Sequence, residues 1–107
     1  MKIGIVISTN DPEVVWNAFR FGNTSLKARH EVTVFLINNG VEVEDIQSEK
    51  FNLDKQIPSF LDNEGQLLAC GICLKTRRKE EPAICPISTL SDLLTVVEKS
   101  DKILTFG

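Results

Sequence analysis

The chain lacks most of the residues and patterns that announce a function. It has one histidine, and its three cysteines include a single C-x-x-C pair. A Ser/His/Asp arrangement would have only His30 to draw on, and that residue merely ends the first expected crossover. A closed zinc site needs four ligands, and a second C-x-x-C is absent, so Cys70, Cys73 and Cys85 leave the fourth position to the distant His30. Neither G-x-G-x-x-G nor a Walker sequence occurs, so nothing points to a nucleotide, and no cofactor is expected. No window approaches the roughly 20 apolar residues of a membrane span. The opening "MKIGIVIST" is too short in apolar residues for a secretory signal and reads as a first strand. The net charge is -3, and the one basic run, "KTRRK", is followed at once by "EE". That balance excludes the clustered basic surface of a nucleic-acid binder. Proline and glycine are scarce, and no repeat, low-complexity tract or linker interrupts the 107 residues. Residues 1–107 are therefore expected to form a single domain around one core. A cytoplasmic location is expected, where thiols stay reduced, so the cysteines read as reactive or metal-binding rather than as a disulfide staple.

What is present is a regular alternation. "KIGIVIS" (2–8), "EVTVFLI" (31–37) and "QLLACG" (66–71) are short, β-branched or apolar runs suited to buried parallel strands. "PAIC" and "KILTFG" read as a fourth and a fifth strand. Between the first two lies a helix with Asp11 as N-cap, Pro12 at its first position and Glu13 in its first turn, running to about Ala28. Val15, Ala18, Phe19 and Phe21 supply its apolar face. The segment 41–65 is polar. It reads as a loop and then a helix over Ile57–Asn63, with Pro58 near its start and Gly65 as its stop. "STLSDLLTVVEKS" is amphipathic, capped by Ser88 or Thr89, with Leu90, Leu93, Leu94 and Val97 as the expected buried stripe. The fold class is α/β: three αβα layers with a mostly parallel five-stranded sheet, and a flavodoxin-like strand order, 2-1-3-4-5, as the expected topology.

In such a sheet ligands bind beyond the carboxyl ends of the strands. Cys70 falls at the end of the third strand, Cys73 just after it, and Cys85 at the end of the expected fourth. Asn10 and Asn39 end the first two strands on the same rim. A cysteine at a helix start, with Lys75 and Arg77 within two turns, has its thiolate favoured, and the thiolate is the nucleophile. Gly71 lets a ligand approach the backbone. The same thiols also fit a metal site, a dithiol redox pair or plain packing, since free cysteine is among the most buried residues.

The whole layout resembles the DsrE/DsrF-like proteins of sulfur metabolism. The stretches that carry the likeness are "KIGIVISTNDPEVVWNAFRFGN", "VFLINNGVE", "LLACGICLKTR" and "CPISTLSDLLTVVEKSDKILTFG". The resemblance implies a strand-end cysteine that accepts sulfane sulfur as a persulfide and hands it on, with sulfur donor and acceptor proteins as partners. By match to the pattern Cys70 takes that role, with Cys73 its close rival. It also implies a homo-oligomer, a trimer or hexamer, and the sequence is compatible with that, offering Trp16, Phe19, Phe21 and the apolar "VEV" loop as contact candidates. The extra cysteines keep two other readings open: a non-catalytic oligomeric binder of a ligand or metal, or a thiol redox protein using Cys70 and Cys73.

Overall fold

The structure is a computed structural model describing residues 1–107. Its strands are β1 (Lys2–Ile7), β2 (Glu31–Leu36), β3 (Gln66–Cys70), β4 (Ile87–Ser88) and β5 (Lys102–Phe106). The helices are α1 (Pro12–Lys27), α2 (Leu53–Asp62), α3 (Gly71–Thr76) and α4 (Leu90–Lys99), and a 3₁₀ helix covers Asn38–Asp45. All four strand pairings are parallel.

The α/β sheet expected from the sequence is present, but its order is β4-β3-β2-β1-β5, not 2-1-3-4-5. The physical reason lies in the crossovers. Moving from β1 through β4 in one direction, right-handed connections put α1, α2 and α3 on one face. The last connection must return across the whole sheet to reach the free edge of β1, so α4 lies on the other face. Side chains of β1 record both layers. Ile5 meets α1 at Gly22, whereas a Cβ on Gly4 would touch Val96 and Ser100 at the end of α4.

Helix α1 starts as its sequence predicts, with Asp11 Oδ1 accepting from the Val14 N–H at 3.0 Å and Pro12 in the first turn. Helix α2 begins earlier than expected, so Pro58 sits inside it rather than near its start. Leu53, Ile57 and Phe60, spaced one turn apart and buried, hold the helix on the sheet despite the lost backbone bond. Phe60 is fully buried and stands edge-on to Phe19, ring centroids 5.5 Å apart. The "NNGVEVED" stretch, expected as a loop, is the 3₁₀ helix, because Val41 and Val43 turn into the core.

Thr89, not Ser88, caps α4, in a capping box with Asp92. The expected buried stripe of α4 is a correction. Leu93 is half-buried against the sheet, but Leu90, Leu94 and Val97 are 57%, 57% and 47% exposed. One ten-residue helix covers a five-stranded face, and only its Leu93–Val96 edge reaches the sheet. No helix is long and apolar enough to cross a membrane.

Candidate functional site

The carboxyl ends of β2 and β3 lie side by side, since Leu36 pairs with Ala69. Asn38 leaves β2 with φ +53°, a left-handed conformation that asparagine tolerates better than most residues. The chain therefore bends sharply into the 3₁₀ helix and turns the Asn38 N–H toward α3, where it donates to Cys73 Sγ at 3.2 Å. Gly40 keeps that bend close to β1, because a Cβ there would stand 2.0 Å from the Ile7 carbonyl oxygen. Nothing in the sequence marks a backbone donor of this kind; the "NNG" turn is the only trace of it.

Cys70 is the N-cap of α3 and Cys73 is its third residue, so both face the same first turn. Cys70 is therefore the neighbouring thiol of Cys73 on that turn. Cys70 is 3% exposed, while Cys73 is half-buried and forms the outer member of the pair. Burial first, and then the neighbouring Cys70 thiol, push the Cys73 thiol above its ordinary value, and the Asn38 N–H and Arg77 pull the other way without prevailing. For Cys73, the expected lowering by a helix start and cations is thus corrected. Helix α3 has only six residues, and Lys75 is exposed and bonded to nothing.

Arg77 does reach the site, but as a tie. Its guanidinium donates to Asn39 Oδ1 at 2.7 and 3.2 Å and to the Cys73 carbonyl at 3.1 Å, with Glu42 3.9 Å away. Asn10 donates to the same Glu42 at 3.2 Å. Asn10, Asn39, Arg77 and Cys73 are therefore linked at one rim through Arg77 and Glu42, the latter a residue of the segment that reads from sequence as a polar loop. Gly71 has a packing role: a Cβ would meet Ile87 at 2.7 Å, so the space expected for a ligand is filled by β4.

Cys85 does not join them. The fourth strand is Ile87–Ser88 rather than "PAIC", so Cys85 precedes it instead of ending it. Its thiol is buried beside Glu44 and Glu81, and burial chiefly, then those carboxylates, pushes it up to about 12. A buried thiol whose pKa is raised favours the folded state until the unfolded chain can ionise. Stability is thus unaffected below pH 9 and falls between about 9 and 12 as the unfolded thiol ionises and the folded one does not. Cys85→Ala should flatten that alkaline loss in pH-dependent chemical denaturation. In the folded wild type Cys85 should be the slowest cysteine to react with iodoacetamide, and an equally fast reaction at all three would contradict this.

No three or more His, Cys, Asp or Glu side chains lie close enough together to hold a metal ion, because Cys85 and His30 are both remote from the pair. A polar cleft of about 760 Å³ opens at the opposite, amino ends of the strands, between Thr33, Gln66 and the Asp92–Ser100 flank of α4. It is far from the thiols.

Comparison with known proteins supports the fold. The model of the DsrE/DsrF-like family matches residues 1–106. The chain belongs to the DsrE/DsrF-like family. Among curated relatives, an uncharacterized protein of Methanocaldococcus jannaschii is 35% identical over 99% of this chain and all of its own length. An uncharacterized protein of Methanopyrus kandleri is 29% identical, covering 88% of this chain and 83% of that one. A conserved protein of unknown function from Bacteroides thetaiotaomicron shares the fold, with TM-score 0.75 and 17% identity over 97% of this chain and 93% of that one. The family is associated with sulfur relay in general, and these relatives add no activity of their own.

Proposed function

We propose that this DsrE/DsrF-like chain is a small sulfur carrier that accepts sulfane sulfur as a persulfide on Cys73 and passes it to a partner protein. The observation that carries the reading is the Cys73 sulfur itself: it is the outer thiol of the pair, and it accepts the Asn38 N–H at 3.2 Å. A donor persulfide, R–S–SH, is attacked at its outer sulfur by Cys73. The new bond is Cys73 S–SH, the sulfur–sulfur bond of the donor breaks, and R–S⁻ leaves and takes up the proton of Cys73 as R–SH. The Asn38 N–H stabilises negative charge on Cys73 Sγ as its proton departs. Cys70 was the first choice from the sequence, but a thiol 3% exposed is closed to a donor protein, which favours Cys73. Hand-off is the same exchange in reverse, to an acceptor thiol. Exposure to a small-molecule persulfide, quenched early and weighed intact, should show one added sulfur that dithiothreitol removes. The gain should persist in Cys85→Ser. A chain that gains no sulfur would overturn the reading.

The exposed stripe on α4 supports a homo-oligomer, the trimer or hexamer that the family likeness implies. Leu90, Leu94 and Val97, with Ile87 half-exposed just before the helix, carry no charge for a charged partner to match. They offer on the order of 400 Å² of apolar surface, against roughly 800 Å² per partner in a stable interface. A surface of this kind needs a permanent cover, and a second copy of the chain is always present. Sedimentation equilibrium should find self-association that Leu94→Glu abolishes while leaving the circular dichroism unchanged. A monomeric wild type at the same concentration would contradict it.

A further inference from the structure

Cys70 occupies a position that its chemistry does not suit. N-caps favour Ser, Thr, Asp or Asn, whose oxygens satisfy the free N–H groups of the first turn. At α4 that role is filled by Thr89, whose Oγ1 stands 3.2 Å from the Asp92 carboxylate three residues on. At α3 the N-cap is Cys70, and its side chain makes no capping bond. It stands instead in the same N-cap to third-residue relation to Cys73, which puts both thiols on the first turn of α3. Cys70 is also shielded from solvent, paired across the sheet with Ser88 and covered by the chain around it. A shielded thiol whose one reactive neighbour is Cys73 can act on nothing else.

We propose that Cys70 is a resolving thiol: when no acceptor takes the sulfur from Cys73, Cys70 discharges it as hydrosulfide and closes a Cys70–Cys73 disulfide. This rests on the carrier reading above and adds a second outcome to the same site. In the step, Cys70 Sγ attacks Cys73 Sγ, the inner sulfur of the persulfide, because the N-cap position sets it on the same helical turn as that atom. A Cys70–Cys73 S–S bond forms and the Cys73 S–SH bond breaks. The bonding pair leaves on hydrosulfide, and the Cys70 proton goes to solvent. The sulfane sulfur gains two electrons and the two cysteine sulfurs together lose two, so no outside oxidant enters. The C-x-x-C spacing admits the disulfide, and the shared turn makes the attack intramolecular. An external dithiol then returns the pair to its starting state. The chain would thus carry sulfane sulfur only briefly when alone, and release it as sulfide rather than leave it exposed.

The test loads the full chain with a small-molecule persulfide, removes the excess, and follows sulfide release and intact mass after alkylation. Wild type should release one equivalent of sulfide and end two hydrogens lighter than the dithiol form, with Cys85 alone open to alkylation after unfolding. Cys70→Ser should take up one sulfur and hold it, with sulfide release lost. A wild type that keeps its sulfur as a persulfide, or a Cys70→Ser chain that releases sulfide as fast as wild type, overturns the proposal while leaving the carrier reading intact. A second arm uses glutathione disulfide in place of the persulfide. The same Cys70–Cys73 disulfide should form, and its absence there overturns the proposal whatever happens with sulfur. A wild type that forms the disulfide with glutathione disulfide but never gains sulfur overturns the carrier reading and this proposal with it.

Discussion

Serine in place of Cys73 is expected to reduce sulfur uptake to background while leaving the fold intact. A serine hydroxyl is close to the size of the thiol and still accepts the Asn38 N–H, so the contact between the 3₁₀ helix and α3 survives. The site is half-buried, and a small polar exchange there should cost no more than about 1 kcal/mol. What is lost is the nucleophile, because only a thiolate forms and releases the sulfur–sulfur bond at a useful rate. In wild type the uptake rate should climb with pH into the alkaline range, since burial and the Cys70 thiol hold Cys73 protonated above its ordinary value. Cys70→Ser should retain uptake and shift that pH profile downward, because one of the groups raising Cys73 is gone. Uptake by Cys73→Ser equal to wild type would move the acceptor role to Cys70.

The largest effect on stability belongs to Phe60. Its ring is fully buried, edge-on to Phe19, and it lies under both Gly22 and Gly65, where any added Cβ would stand 3.1 and 2.5 Å from it. The two glycines and the ring form one fitted contact that closes α1 and the turn before β3 onto α2. Phe60→Ala removes the ring and leaves a void that backbone on both sides cannot collapse into. A loss of about 3–5 kcal/mol follows, out of a total of about 5–15 kcal/mol for a domain of this kind. Urea denaturation should show the midpoint falling with little change in slope. The thiols lie at the far end of β3, so the reactivity of Cys73 in the folded fraction should be unchanged. A drop below about 1 kcal/mol would mean that the core repacks around the gap.

Much of the fold was legible because local rules and tertiary structure agree. Asp11–Pro12 starts α1 as its cap chemistry predicts, and the apolar runs 2–8, 31–37 and 66–71 become β1, β2 and β3. The strand order was not legible. A parallel strand can join either edge of the sheet, and nothing in "KILTFG" states that its partner is β1 rather than β4. The position of Cys85 failed for a related reason: "PAIC" has the composition of a strand, but two-residue β4 takes its backbone bonds one step later, from Pro86 onward. On α4 the periodicity identified the apolar face correctly and could not say that the chain leaves Leu90, Leu94 and Val97 uncovered. The Cys70–Cys73 pair and Arg77 were visible as spacing. The Asn38 N–H and the Glu42 tie that complete the rim come from 32–35 residues away in sequence, through a left-handed backbone turn.

The central claim is that the chain takes up sulfane sulfur and gives it back as sulfane sulfur. The most direct measurement loads Cys70→Ser with an isotopically labelled persulfide, removes the donor, adds an excess of a small acceptor thiol and weighs both products. The variant is chosen because it cannot discharge the label internally. The account predicts that the label appears on the acceptor as a persulfide while the chain returns to its unloaded mass. A label that never binds the chain, or that binds and cannot be moved to any acceptor thiol, would contradict it.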